Sequence, residues 1–389
     1  MILVLADHYL PGVKAGGPIR TLSSLVARLG DEFAFWVLTR DRDFGDAQPY
    51  DDLVPGTWLT VGKARVQYVA ETSMTRGLLA RAVKESNARA MYLNSFFSLR
   101  FAILPVLYAR LRLLPAVSII LAPRGEFSPG ALRLKRIKKR CFLLLGKASG
   151  LYRDVVWQAS SDHEVRDIRR EFGHHARIVV APNLAMPSDS AISAERSPKQ
   201  AGVLRIVFLS RVSRKKNLDG ALSMLRGLHG RVSLDIYGPV EDASYWQECQ
   251  DAIRTLPSNV AVHYGGMVAH SDVGRIFRAH DLFLFPTLGE NFGHVILEAL
   301  TAGCPVMISD RTPWRNLKQM EVGWDIPLDQ PALFERALAE CVEMGDELHR
   351  RMSTCASAFA QARMEDPEIV EQNRRLLRTA IARAGGSIP

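Results

Sequence analysis

Two glutamates eight residues apart, Glu290 and Glu298, stand in the segment PTLGENFGHVILEALTAGCPVMIS (286–309), which reads as strand end, glycine-containing turn, helix and next strand. Glu290 falls in the turn, whereas Glu298 falls inside the apolar helical run Val295-Ile296-Leu297 and Ala299-Leu300. Burial of the Glu298 carboxylate is therefore expected, and an unpaired buried carboxylate is costly enough to require a partner. Two kinds satisfy it: a structural Arg or Lys, or a ligand with paired hydroxyls such as a ribose. The backbone of Asn291, Phe292, Gly293 and His294 sits at the amino terminus of the same helix, where unpaired N–H groups suit a phosphate or a sugar hydroxyl. A diol-binding carboxylate beside an anion-binding turn fits a nucleotide sugar; on the residues alone the structural ion pair stays open beside it.

The string E-N-F-G-H-V-I-L-E-A-L-T-A-G-C-P-V (290–306) resembles the E-x-F-G-x-x-x-x-E-A-x-A-x-G-x-P-V signature of retaining GT-B glycosyltransferases, specifically glycosyltransferase family 4. The resemblance implies that Glu298 holds the ribose hydroxyls and that Glu290 contacts the donor sugar. A second segment, FLSRVSRKKNLDGAL (208–222), is similar to the family's G-R-x-x-x-x-K-G and puts Arg211 and Lys216 at its basic positions. Fixed cations there would stabilise the charge that builds on the phosphate oxygens as a nucleoside diphosphate departs. Ser210 and Asn217 stand where glycine is usual. Alone, this stretch reads as a solvated helix start with a basic face, and Arg214 and Lys215 are assigned to the surface.

Further matches are less specific. Tyr237-Gly238-Pro239 and Tyr264-Gly265-Gly266-Met267-Val268 follow strands where the family recognises the nucleobase, although each also reads as a simple turn. Gly16-Gly17-Pro18 resembles the family's amino-terminal glycine loop; it fits neither GxGxxG nor the Walker A pattern, which counts against dinucleotide and NTP-hydrolase readings. In LAPRGEFSPGALRLKRIKKR (121–140) the family usually has P-H-G, and its histidine lies near the donor sugar. Arg124 occupies that place here. An arginine can donate to sugar or phosphate but is a poor proton carrier. Glu126 reads as a surface carboxylate among cations, with an acceptor-side carboxylate as the alternative.

These residues need a scaffold. Strand-like runs alternate with amphipathic stretches at 2–6, 33–39, 90–94, 117–122, 155–159 and 177–182, and again at 204–210, 232–238, 260–266, 281–287 and 305–309. Such alternation predicts an α/β fold of two Rossmann-like, doubly wound parallel-sheet domains. The resemblance adds the GT-B arrangement, in which the two face a cleft. The expected organisation is an acceptor-side domain over 1–186, a linker over 187–202 rich in Ser, Pro and charge, and a nucleotide-sugar domain over 203–365. A final helix over 366–389 then crosses back to the first domain, with Ile369, Leu376, Leu377 and Ile381 at near-helical spacing.

Composition bounds the rest. The chain of 389 residues is 47% hydrophobic and 23% charged, as expected of a folded protein. The five cysteines include no CxxC pair, so neither a disulfide framework nor a zinc knuckle is indicated, and a reducing cytosol fits. MILVLADHYL reads as a buried first strand rather than a leader, and the apolar stretch 101–122 is broken by Pro105, Arg110, Arg112 and Pro115, so no membrane span is expected. Residues 1–190 hold 27 Lys/Arg against 17 Asp/Glu, and the remainder 23 against 24, which places the net +9 in the first half and points to an anionic partner for it. Six of the eight residues at 133–140 are basic, while Leu134, Ile137, Cys141, Leu144 and Leu145 share a helical face. That pattern fits either a helix on an anionic membrane, through 131–147, or one facing the core with a solvated basic side. The cluster lacks interleaved aromatics and any nucleic-acid motif, so a nucleic-acid partner is disfavoured.

No metal or other cofactor is expected. Asp41-Arg42-Asp43 matches a DxD string used by a different glycosyltransferase fold, and His174-His175 has no neighbouring ligand set. The sequence thus predicts a cytoplasmic enzyme that takes a nucleotide sugar and a glycan or lipid-linked acceptor, with the membrane reading of the basic helix placing it on the inner face of the cell membrane. An epimerase or phosphorylase on the same scaffold, and a basic scaffolding protein, are the competing classes.

Overall fold

The computed structural model describes all residues except 52, 55, 134, 135, 187–195 and 386–389. Two compact units are present, Met1–Met186 with Asp366–Pro389, and Pro187–Glu365.

The first unit is built on β1 (Ile2–Ala6), β2 (Phe35–Arg40), β3 (Trp58–Val61), β4 (Ala64–Val69), β5 (Ala90–Leu93), β6 (Ser118–Leu121), β7 (Val156–Ala159) and β8 (Arg177–Val180). Their order is β3-β4-β2-β1-β5-β6-β7-β8, parallel throughout except for β3 against β4. All of β1 is buried, and the two-residue period of a strand sends its side chains to two cores. Leu3 and Leu5 enter a cluster with Met91, Leu93, Phe96 and Trp157; Ile2 and Val4 enter one with Val37, Tyr92, Leu376 and Leu377. The helix Pro367–Gly385 therefore completes the core of the first unit, and Asn373 Nδ2 fastens it to the Pro182 carbonyl at 2.8 Å.

The second unit contains β9 (Val203–Leu209), β10 (Arg231–Tyr237), β11 (Val260–Gly266), β12 (Leu282–Phe285), β13 (Val306–Ser309) and β14 (Gly323–Ile326). These lie in the order β11-β10-β9-β12-β13-β14, all parallel. The order reverses direction between β9 and β12, and at such a switch the connections diverge and leave a crevice beyond the carboxyl ends. Buried Asp281 fixes these two strands at their opposite ends. It accepts from Arg205 N at 2.8 Å, Nε at 3.1 Å and Nη2 at 2.6 Å.

Strands β3, β4 and β14 are absent from the sequence reading. The first two form an antiparallel pair at the sheet edge, where β3 is only partly covered, and β14 is four residues long with Asp325 inside it. Neither has a long apolar run. The linker expected over 187–202 lies outside the described residues up to 195, and from 196 it is tied down. Arg196 donates to the carbonyls of His280 at 2.7 Å and Gly303 at 2.9 Å, and buried Lys199 donates to Met344 O at 3.1 Å. Carbonyl partners satisfy these cations, which composition alone does not reveal.

The basic helix also differs from its core-facing reading. Arg136–Ala148 packs through Phe142, Leu143 and Gly146, with Phe142 against Phe96 and Phe97 and Gly146 against Tyr152. Ile137, Leu144 and Leu145 are 79%, 66% and 69% exposed, and Cys141 is exposed too; Leu134 lies outside the described residues. Among the described residues no helix is long and apolar enough to cross a membrane.

Candidate functional site

The loops leaving the carboxyl ends of β9 and β12 meet. After β9 the chain makes a short helical turn, Arg214–Lys216, and Asn217 then takes the left-handed conformation at φ 59° before the helix Leu218–Met224. Asparagine is among the few residues besides glycine that tolerate this conformation, which explains how it stands where the similar motif has glycine. Its side chain adds something glycine cannot: Asn217 Nδ2 donates to the Pro286 carbonyl at 2.8 Å. The Leu288 amide in turn donates to the Lys215 carbonyl at 2.9 Å, so the two loops are cross-tied.

This tie brings Lys216 against Glu290. Lys216 Nζ donates to Glu290 Oε1 at 2.6 Å, with the two side chains 11% and 12% exposed. The Thr287 hydroxyl lies 3.0 Å from the same oxygen. Burial pushes the Glu290 carboxyl up, but the charges of Lys216 and Lys215 and the hydrogen bonds from Lys216 and Thr287 outweigh it and hold the group below the ordinary carboxylate range. The ammonium also sits 5.3 Å from the Phe285 ring centroid.

Beyond Glu290 the turn passes Asn291 and Phe292 to Gly293, the N-cap of helix His294–Thr301, at φ 79°. A Cβ at Gly293 would come within 2.8 Å of Ile296 Cδ1, so glycine is required twice over, by conformation and by space. The Phe292 carbonyl accepts from buried Trp314 Nε1 at 2.5 Å, which anchors the turn and directs the first helical amides outward. Glu298 lies one helical turn on and is half-buried, against the full burial expected. An eight-residue helix has a partly open flank, and Glu298 shares it with His294 and Val295 rather than with the buried Ile296 and Ala299.

The neighbouring strand ends carry the other expected residues. Gly238, after β10, has φ 128°, and a Cβ there would meet the Ser210 carbonyl at 2.0 Å; its amide donates to the Gly266 carbonyl at 2.7 Å. Arg211 pairs with Glu241 at 3.0 Å across an exposed surface, and Met267 is exposed. Arg211, Gly238, Gly266 and the Lys216–Glu290 pair thus occupy the carboxyl edge of the adjacent strands β11, β10, β9 and β12.

Gly16, Gly17 and Arg124 belong to the first unit. Gly16, at φ 68°, precedes the helix Gly17–Leu29. Arg124 is itself left-handed at φ 55° and spans three neutral partners: Asn94 Oδ1 at 2.7 Å, the Tyr92 hydroxyl at 2.5 Å, and Asn183 Oδ1. Burial pushes the Tyr92 phenol up, which keeps it protonated as it donates to Gln158. Glu126 is not the surface carboxylate expected. It accepts from the amides of Phe96 at 2.6 Å and Phe97 at 3.1 Å and from Ser95 Oγ at 3.1 Å, and burial pushes its carboxyl up. In the DxD string, Asp43 caps the amides of Val13, Lys14 and Phe44, and Asp41 pairs with Arg42. These carboxylates brace loops.

Two contributors escaped sequence reasoning: Asn217, noted only as a departure, and Thr287. A polar residue two positions beyond the fully apolar β12, behind Pro286, is the signal that marks Thr287.

Residues 189–358 match the family model Glycosyl transferases group 1. This segment contains every second-unit residue described above. Phosphatidyl-myo-inositol mannosyltransferase of Mycobacterium leprae is 25% identical over 205 residues, 50% of this chain and 53% of that protein. The protein of the same name from Mycobacterium tuberculosis is 32% identical over 145 residues, 36% and 38% of the two chains. The chain thus spans about half or less of the length of these curated relatives. Among solved structures, Anabaena Alr3699/HepE in complex with UDP and glucose superposes with a TM-score of 0.67 at 17% identity, over 97% of this chain and 98% of that one. Sucrose-phosphate synthase of Thermosynechococcus elongatus gives 0.70 at 16%, over 98% and 99%. The fold is that of the GT-B glycosyltransferases.

The Glu290 shift makes stability depend on pH. A carboxyl whose folded pKa is depressed contributes stability that is complete above its unfolded pKa, about 4.3, and is lost as pH falls through the folded value. Glu290→Gln should remove that contribution, so the stability gap between wild type and variant narrows as pH drops below about 4.3. Urea unfolding at pH 7 and pH 3.5 checks it; a gap that is constant or widens in acid contradicts the assignment.

Proposed function

We propose that this protein is a retaining glycosyltransferase of family 4, a hexosyltransferase-type enzyme that moves a sugar from a nucleoside diphosphate sugar to a hydroxyl of a lipid-linked or oligosaccharide acceptor. The setting proposed is polysaccharide or glycolipid assembly at the cytosolic membrane face. The observation that carries the reading is the Lys216–Glu290 pair at the sheet switch point, inside the segment that matches Glycosyl transferases group 1. Retention rests on the E-x-F-G-x-x-x-x-E resemblance, and a lipid acceptor is supported by relatives named for lipid glycosylation.

In this reading Glu298 accepts from the ribose hydroxyls and Glu290 from the donor sugar. The turn from Asn291 through Phe292 and Gly293 to His294 supplies amides, and the loops at Gly238, Gly266 and Met267 receive the base. Arg211 and Lys216 take the diphosphate. The exposed Arg211–Glu241 pair is worth little to stability, so the guanidinium can be redirected to phosphate at small cost. The two cations supply the charge that a metal supplies elsewhere, and the mechanism requires none. Gly16 and Gly17 are assigned to donor binding on the resemblance of their loop alone. Arg124, with three of its five N–H groups engaged by neutral partners, keeps donors for sugar or phosphate. It acts as a fixed charge, not a proton carrier.

The helix Arg136–Ala148 gives the first unit a membrane-facing surface in this proposal. Exposed Ile137, Leu144 and Leu145 stand among Arg136, Lys138, Arg140 and Lys147, the pattern of an interfacial helix on anionic lipid.

Arg211→Ala should lower turnover by about 10²-fold or more in an assay of nucleoside diphosphate release; activity within a few-fold of wild type removes its role. Vesicle flotation tests the surface. Retention on phosphatidylglycerol vesicles should exceed that on phosphatidylcholine and fall in the Ile137→Ser/Leu144→Ser/Leu145→Ser variant; equal retention on both lipids contradicts it.

A further inference from the structure

Thr287 is fully buried two residues beyond β12, and its hydroxyl has two acceptors within reach: Glu290 Oε1 at 3.0 Å and the Lys215 carbonyl at 3.2 Å. A hydroxyl carries one proton and serves one of these at a time. Its lone pairs receive the Gly289 amide at 3.3 Å, and its own carbonyl is held by Ser309 Oγ at 2.5 Å, so the residue cannot turn away. The two acceptors are unequal in what else they have. The Lys215 carbonyl has the Leu288 amide at 2.9 Å, a backbone donor that no ligand displaces. Glu290 Oε1 has Lys216 Nζ, a side-chain donor that the proposed reading draws onto a diphosphate.

We propose that Thr287 is a positioning residue that retains the hydrogen bond to Glu290 when Lys216 turns to the donor's diphosphate, so that Glu290 keeps its place against the sugar. The inference rests on the proposed roles of Lys216 and Glu290. No covalent step is involved; the proton on Thr287 Oγ, which carboxylate and carbonyl share while Lys216 is paired, is committed to the carboxylate once the ammonium leaves. The exchange lets one lysine be shared between carboxylate and phosphate without releasing the carboxylate.

A donor-free test uses a double-mutant cycle. Lys216→Met imitates withdrawal of the ammonium, with Lys216→Gln as the alternative if the first does not fold. Thr287→Val removes the donor at near-constant volume, and Thr287→Ser keeps it. In urea unfolding followed through the second unit, Thr287→Val should lower the midpoint more in the Lys216→Met background than in wild type, and Thr287→Ser should restore it in both. Additive effects, or a serine variant as impaired as the valine one, overturn the proposal. The catalytic arm reads UDP released from UDP-glucose and GDP released from GDP-mannose. Thr287→Val should lower kcat by about 10- to 100-fold with KM changed less than threefold or so, and move the acid limb of the profile to higher pH. Rescue by serine separates positioning from packing. If Glu290→Gln retains wild-type release while the cycle shows coupling, the role of Glu290 fails and the Thr287 exchange stands; if Glu290→Gln is impaired and the cycle is additive, only the exchange fails.

Discussion

A nearly buried ion pair, Lys216–Glu290, is the constraint around which the second unit's edge is organised. Bringing the two charges together out of water is costly unless each is paired and hydrogen-bonded. The surroundings meet that condition: Thr287 supplies a further donor to the carboxylate, while Asn217 and the Leu288 amide tie the two loops together. The loops are short and run from adjacent strands, so the pair is placed by the sheet order itself. Asp281 fixes the opposite ends of the same strands through Arg205, and the crevice between β9 and β12 is thereby braced at both ends.

A pair of this kind suits transfer chemistry better than stability alone. Replacing a buried ion pair by apolar residues is often neutral or stabilising, so its presence needs another account. A lysine that neutralises a carboxylate in the empty site and a departing phosphate in the loaded one is such an account. The arrangement holds the Glu290 carboxyl below the ordinary range, because Lys216 and Thr287 both donate to it.

Much of this was legible in the sequence. The central strands carry unbroken apolar runs, and the motif from Glu290 to Val306 fixes the helix start because Gly293 must adopt positive φ beside Ile296. Less legible were features that depend on three-dimensional neighbours. Edge strand β3 and the short β14 have weak patterns; Arg196 and Lys199 look like linker charges until carbonyls surround them. Glu126 lies among cations in sequence but among amides in space. The basic helix shows why periodicity underdetermines facing: Leu143 and Gly146 are buried while Leu144 and Leu145, adjacent on the chain, are exposed. For Thr287, a lone hydroxyl beyond an apolar strand does not reveal which acceptors it meets in space.

The first unit answers different demands. Its cation Arg124 is held by neutral groups rather than a carboxylate, so its charge is not cancelled locally, and its strained backbone is supported by the strand ends carrying Tyr92 and Asn94. The measurement that bears most directly on the account is calorimetric titration of the full chain with UDP, GDP and ADP, repeated on Glu298→Ala. The account predicts selective binding of one nucleoside diphosphate, weakened about tenfold or more in the variant through loss of a charge-assisted hydrogen bond to ribose. A folded protein that binds none of the three, or a Glu298→Ala variant that binds as tightly as wild type, would contradict it.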